Sequence, residues 1–200
     1  MKIKGLLLLG AMCFAAYAQS ESLPPLQTVP KLDVQRYAGQ WYEIARLPMP
    51  YQSHCVSDVT AFYKIKSKDT ISVTNRCLKA DGTWSSAEGL ARVQNAENTK
   101  LSVTFLPKAI RWLPVGKAPY WVMALDSDYQ YAMVGQPDRK YLWLLSRKPS
   151  MDESVYQAYL QRAKEQGYDL SALIRTKHVF PLRSIVPGKR GPPPLVGFDL

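Results

Sequence analysis

Few residues in this chain are able to do covalent chemistry. Its 200 residues include three cysteines and two histidines. A nucleophile needs a base beside it. His54 adjoins Cys55, but neighbours along an extended strand point to opposite faces, which makes a working Cys–His pair a poor prospect. No Cys and His spacing matches a zinc site, and no glycine-rich phosphate loop occurs. The sequence therefore calls for no metal, no cofactor and no catalytic residue. Cys55 and Cys77 have a different use. In an exported protein an even cysteine count favours a disulfide, and two buried free thiols are the alternative.

Export is read from the first eighteen residues. Met1-Lys2-Ile3-Lys4 is a positive start, "GLLLLGAMCFAA" an apolar stretch, and Ala16-Tyr17-Ala18 a small-x-small cleavage site. The stretch is short for a membrane span. Residues 1–18 are thus a signal peptide, and Cys13 leaves with them. A lipid anchor on Cys13 is the weaker alternative, because lipoprotein processing wants a small residue ahead of the cysteine and Met12 stands there. Net charge falls from +10 to +8 when Lys2 and Lys4 are lost. That balance favours peripheral contact with anionic membrane surfaces. The basic residues are scattered rather than interleaved with aromatics, which argues against nucleic acid.

The elements that would position any site come next. An apolar fraction of 46% with 21% charged residues suits one globular domain with a proper core. Residues 19–30 are a polar, proline-rich lead-in, and residues 179–200 a proline-rich flexible tail. Between them, runs rich in Val, Ile, Tyr, Trp and Thr predict strands at 40–47, 56–65, 70–78, 84–94, 100–106, 119–126, 129–135 and 140–147. Short Asp-, Asn- and Gly-bearing links join most of them, so sequence neighbours should pair antiparallel. Two links, 48–55 and 107–118, are long enough to serve as rims or lids.

Alternation assigns faces. Val59, Ala61, Tyr63 and Ile65 fall on one side, as do Ile71, Val73 and Cys77, with Asn75 the exception. Leu101, Val103 and Phe105 follow, and Ala87, Gly89, Ala91 and Val93 give a nearly all-small set. Small inner residues leave room for a cavity, although Gly89 could equally mark a bulge. "YWVMALD" and "YLWLLSR" are apolar on both faces, which predicts a helix packed outside them. That helix follows, with Ser150 and Glu153 as a capping box, Gly167 as its stop and Val155, Tyr156, Tyr159, Leu160 and Ala163 as its apolar stripe. "DLSALI" at 169–174 is compatible with a further turn or two. The expected fold is all-β: an eight-stranded antiparallel up-and-down barrel with a C-terminal α-helix outside, a sandwich being the competing arrangement.

Three separated segments carry a family resemblance. "LDVQRYAGQWYEIARLP" resembles the first signature of the lipocalins, in which Gly-x-Trp opens the first strand. Ser127-Asp128-Tyr129 matches the family's Thr-Asp-Tyr segment with serine for threonine, and Arg147 in "LWLLSRKPSM" matches the arginine after the last barrel strand. The resemblance covers residues 31–178. "EGLARV", "YWVMALDSDYQYAMVG", "PDRKYLWLLSR" and "KEQGYD" are similar to the bacterial outer-membrane lipocalins and, more distantly, to apolipoprotein D.

The resemblance implies that Gly39, Trp41, Asp128, Tyr129 and Arg147 keep the fold, with Arg147 stacked over Trp41 at the closed end. It also implies a lipid carrier rather than an enzyme, one that stores or transports a fatty acid, phospholipid or lysophospholipid in the cell envelope, most simply the periplasm. The inner faces supply the expected ligand contacts Val59, Ala61, Tyr63, Val73, Ala91, Val103 and Phe105. Tyr120 and Trp143 join them by alignment with pocket aromatics of bacterial relatives, offering a phenol and an indole N–H to the lipid's polar end. Arg111 and Trp112 are looser candidates for headgroup contact. The rival functions are a lipocalin-fold enzyme using a reduced Cys77 in the cavity, and a protein-interaction module using the basic loops or the tail. Oligomeric state is left open.

Overall fold

The computed structural model describes residues 23–179; the predicted signal peptide and all but the first residue of the predicted tail lie outside them. Eight strands follow in chain order: β1 (Gly39–Arg46), β2 (Cys55–Ser67), β3 (Thr70–Lys79), β4 (Trp84–Val93), β5 (Lys100–Thr104), β6 (Lys117–Leu125), β7 (Tyr131–Gly135) and β8 (Leu142–Ser146). Each pairs antiparallel with the next, and β1 pairs with both β2 and β8, which closes the barrel and rules out the sandwich. Closure removes the sheet edges that would otherwise expose unpaired backbone groups.

One seam needs help. β1 pairs with β2 only from Gly39 to Tyr42. Beyond that, Asp58 adopts φ 53° and the β2–β3 ladder shifts register between Ser57 and Thr60. The freed backbone groups of β1 must find partners elsewhere. A two-residue strand, β9 (Ile174–Arg175), supplies them by pairing with Ala45 and Arg46. The Thr176 N–H then donates to the Ile44 carbonyl at 2.9 Å, and the Asp58 N–H to the Lys177 carbonyl at 2.8 Å. Residues 170–173 make one turn, with the Leu173 N–H on the Leu170 carbonyl, and the chain enters β9 at Ile174 instead of extending the helix.

Two apolar clusters result, one on each side of the later strands. Val122, Val134 and Leu145 point into the barrel with Trp41 and Val73. Met123, Met133, Leu142 and Leu144 point out, under helix α2 (Glu153–Glu165), whose Tyr156 and Ala163 are buried against them. The doubly apolar strands are thus accounted for. The start of α2 departs from the capping-box expectation. Asp152 is the N-cap residue, the Ser150 carbonyl accepts from Ser146 Oγ, and the Glu153 carboxylate pairs with Arg175 at 2.7 Å. The stop is as expected: Gly167 has φ 85°, and the Tyr168 N–H reaches back to the Ala163 carbonyl.

The lead-in is irregular but anchored. Leu26 and Val29 are buried, and the N–H groups of Val29 and Leu32 donate to the carbonyls of Val122 and Glu97. A single helical turn, α1 (Val34–Tyr37), precedes β1. Its N-cap Asp33 accepts from the N–H groups of Gln35 and Arg36.

Candidate ligand-binding site

The base of the barrel is built first by the chain and is sealed. Trp41 is fully buried, and its indole N–H donates to the Tyr37 carbonyl at 2.8 Å. The Arg147 guanidinium lies 4.0 Å from the Trp41 ring. It also donates to the carbonyls of Gln40 and Arg36, each at 2.7 Å, and of Tyr129 at 3.2 Å. Gly39 sits directly beneath at φ 95°, a conformation that side-chain-bearing residues rarely adopt. The Tyr129 hydroxyl accepts from the Asp33 N–H, and Arg36 stacks on its ring at 4.1 Å. Asp128 joins through its backbone, donating to the Asp126 carboxylate. Asp126, which the sequence pattern does not single out, accepts from three turn residues and shapes the β6–β7 link.

Above the tryptophan lies a floor of phenols. The Tyr120 hydroxyl is 2.7 Å from that of Tyr37 and 2.9 Å from that of Tyr63. Burial pushes Tyr63 up to about 12, partly offset by the Tyr120 hydrogen bond and the Arg147 charge. Burial also raises Tyr37 and Tyr120 well above the ordinary phenol value. The floor is therefore neutral at physiological pH.

The wall rises from there. Tyr63 faces Val73, which faces Gly89, while Ile71, Ala91 and Val103 form the adjacent row. Val59, Tyr63, Val73, Ala91 and Val103 are buried, and Ala61 is partly so. Toward the end ringed by the 47–54, 80–83, 105–116 and 136–141 links, the same face opens. Ala87 and Ala118 are exposed.

Phe105 departs from its expected place as a buried wall residue: β5 ends at Thr104, and Phe105 stands 44% exposed at this mouth. Its ring fills the space left by Gly89, where a Cβ would lie 2.8 Å from the ring and 2.9 Å from the Thr104 carbonyl. The β3–β4 register runs unbroken through Gly89, so the glycine makes room for an aromatic ring and marks no bulge.

Polar groups on the inner wall come from residues that the alternation pattern passes over. Glu43 and Arg46 should face opposite ways by parity, but a register shift between Glu43 and Ala45 sets Glu43 opposite Leu145 and Arg46 opposite Trp143 on the same face. They form a buried ion pair at 3.1 Å. Glu43 also accepts from Gln52 Nε2 at 3.0 Å and Thr176 Oγ1 at 2.6 Å, which ties the β1–β2 link and the C-terminal segment to the wall. Trp143 Nε1 donates to Gln52 Oε1 at 3.2 Å. The Trp143 indole and the Tyr120 phenol, expected to suit a lipid's polar end, thus already have internal partners. Buried donors take internal partners. The buried polar atoms lacking a partner among the described residues are Arg46 Nε and Asn75 Oδ1. Asn75, the odd polar residue in its alternating strand, lies on the inner face between Ala61 and Ala87.

Two further sets of candidates fall elsewhere. Arg111 and Trp112 sit over the outside of the wall, where Arg111 donates to the carbonyls of Leu106 and Glu88. Cys55 and Cys77 are joined in a disulfide, with Cα atoms 5.5 Å apart. His54 lies beside it, its Nε2 3.1 Å from Ser85 Oγ, and the three side chains cluster within 4.8 Å. In this oxidised state neither sulfur is a thiol, so the arrangement holds no Cys nucleophile.

A sealed aromatic base, an apolar inner face and an open rim agree with what sequence comparison finds. The Lipocalin-like domain profile matches residues 32–178. The chain belongs to the lipocalin family. The lipocalin is 39% identical over 159 residues to temperature-induced lipocalin-1 of Arabidopsis thaliana, covering 76% of this chain and 82% of that one. It is 34% identical over 178 residues to the outer membrane lipoprotein Blc of Escherichia coli (strain K12), covering 87% and 96%. Bovine (Bos taurus) apolipoprotein D is 35% identical over 134 residues, covering 63% and 65%. Among solved structures, insecticyanin from the tobacco hornworm Manduca sexta superposes with a TM-score of 0.63 at 24% identity, over 79% of this lipocalin and 87% of that chain. Lipocalins bind small hydrophobic ligands.

Proposed function

We propose that this lipocalin stores or transports an amphipathic lipid, a fatty acid, phospholipid or lysophospholipid, in the cell envelope. The observation that carries the reading is the gradient along one continuous inner face, from a closed floor at Trp41 and Tyr63 to exposed Ala87 and half-exposed Phe105. An acyl chain laid along it, methyl end down, exchanges water for Val59, Ala61, Val73, Ala91, Val103 and Trp143. A dozen methylenes at about 0.8 kcal/mol each give on the order of 10 kcal/mol gross. Ordering and association take back much of this, leaving a Kd of roughly micromolar. Arg46 Nε and Asn75 Oδ1 are the wall atoms with hydrogen-bonding capacity to spare for the polar end. Likeness to outer membrane lipoproteins supports an envelope location, and the signal-like leader supports export to the periplasm, with anchoring at Cys13 the weaker route.

Native mass spectrometry of the protein purified from its host tests the reading directly. A co-purified amphipathic lipid is the expected result. Binding of a long-chain fatty acid and its lysophospholipid is then compared in wild type and Trp143→Ala. The substitution takes the apolar face of the indole away from the acyl chain and should weaken binding about tenfold. A protein that takes up neither lipid overturns the proposal.

A further inference from the structure

Outside the barrel, on the wall made by β4, β5 and β6, the 105–116 link folds back to roof a groove of about 420 Å³. Its lining carries Arg92, Lys108, Arg111 and Lys117, and no carboxylate. The alternation that sends Ala91 and Val103 inward sends Arg92 and Ser102 outward into this groove. Glu88, on the same face, offers Arg111 its backbone carbonyl. None of these cations has an ion-pair partner among the described residues. Like charges gathered around one concavity repel each other until an anion enters. Arg111 is already oriented for one. Its Nε and one terminal nitrogen are held by the Leu106 and Glu88 carbonyls at 2.7 and 2.9 Å, which fixes the guanidinium plane over the groove.

We infer that this groove is a second binding site, separate from the barrel interior, and that its ligand is a phosphoryl group. Phosphoryl oxygens suit a fixed guanidinium flanked by lysines, with the Ser102 hydroxyl as a further donor. The roof argues for a lipid-borne phosphate over a free one. Trp112 is 76% exposed, and Ile110 and Val115 on the same link are also exposed. Apolar side chains beside a cationic groove match the boundary between headgroups and acyl chains of an anionic bilayer. The inference does not depend on what the barrel carries.

The full-length protein is tested with inorganic phosphate and glycerol phosphate by calorimetry, and with phosphatidylglycerol and phosphatidylcholine vesicles by co-sedimentation. Lys108→Gln/Lys117→Gln is the key variant, because both side chains are exposed and the fold does not rest on them. Salt-sensitive binding to phosphatidylglycerol but not phosphatidylcholine, about tenfold weaker in the double variant, is expected. Trp112→Ala should weaken vesicle binding and leave glycerol phosphate binding unchanged. Binding of the soluble phosphates without vesicle capture would keep the phosphoryl site and assign it a soluble ligand. No binding of either kind, or a double variant that binds like wild type, overturns the site. Fatty-acid uptake, measured in parallel, should be the same in both proteins.

Discussion

At one end of this barrel Trp41 is out of reach of water, with its N–H, the Arg147 guanidinium and the phenols of Tyr37, Tyr63 and Tyr120 all engaged. At the other, Phe105 is half exposed, and Arg46 and Asn75 on the wall keep polar atoms without partners. The same strands run through both ends, so strand composition does not make the difference. What differs is the chain laid across each opening. The lead-in and α1 cross the base and bring hydrogen-bonding backbone with them, whereas links between strands ring the mouth. Fully satisfied polar networks rigidify a core, and partly satisfied ones leave capacity for something else. The base holds the fold together, and on the proposed reading the mouth is what a lipid completes.

The largest test of that division replaces one tryptophan at a time. Trp41→Ala should lower stability by roughly 3–5 kcal/mol, because it empties a buried site and removes the ring on which the Arg147 guanidinium stacks. Trp143→Ala should move the urea midpoint much less, since its ring is only partly buried. Equal destabilisation in the two variants would mean that the upper barrel is ordinary core. Next in size is the disulfide. Cys55 and Cys77 are 22 residues apart and fasten the start of β2 to β3, on the mouth side of the point where Asp58 turns β2 away from β1. Replacing both with alanine should cost about 3 kcal/mol by chain-entropy reasoning. The weakening should appear as early hydrogen exchange at 55–60 and in the 174–179 segment packed there, ahead of the Trp41 base.

Much of this division is legible in the residues themselves. Gly39 two positions before Trp41, the alternation in β2 and β3, and the doubly apolar β6 and β8 point to a closed barrel with an outside helix because each is a local pattern with a local cause. The site is less legible because its decisive features are non-local or break period. The parity of Phe105 is right, yet alternation does not say that the ladder ends at Thr104. Parity fails outright for Glu43 and Arg46, since one irregular step in β1 resets the face. Tyr120 has the expected ring, but the partners of its hydroxyl lie 83 and 57 residues away in sequence. The Ser150–Glu153 pattern is present, yet the N-cap falls on Asp152 and the Glu153 carboxylate is taken by Gln157 and Arg175. β9 is too short to have a period, and only the unpaired half of β1 explains it.

The smallest effect expected at the base is also the one most specific to it. Tyr63 is pushed up to about 12 by burial, and Tyr37 and Tyr120 are raised in the same direction. In the unfolded chain such phenols titrate near pH 10, roughly the ordinary value. Below that pH both states keep their protons, and the contribution of the buried phenols is fully present. As pH rises past about 10 the unfolded chain releases protons that the folded chain retains, so stability declines toward the folded pKa of about 12. Tyr63→Phe removes one of these groups. It should cost about 1 kcal/mol at pH 7 through the missing hydrogen bond, and it should make the decline between pH 9 and 11 shallower, roughly in line with one fewer shifted proton. Urea midpoints across that range read both effects. A decline as steep in the variant as in wild type would mean that the Tyr63 phenol titrates freely, and that water reaches the floor the base is built to seal.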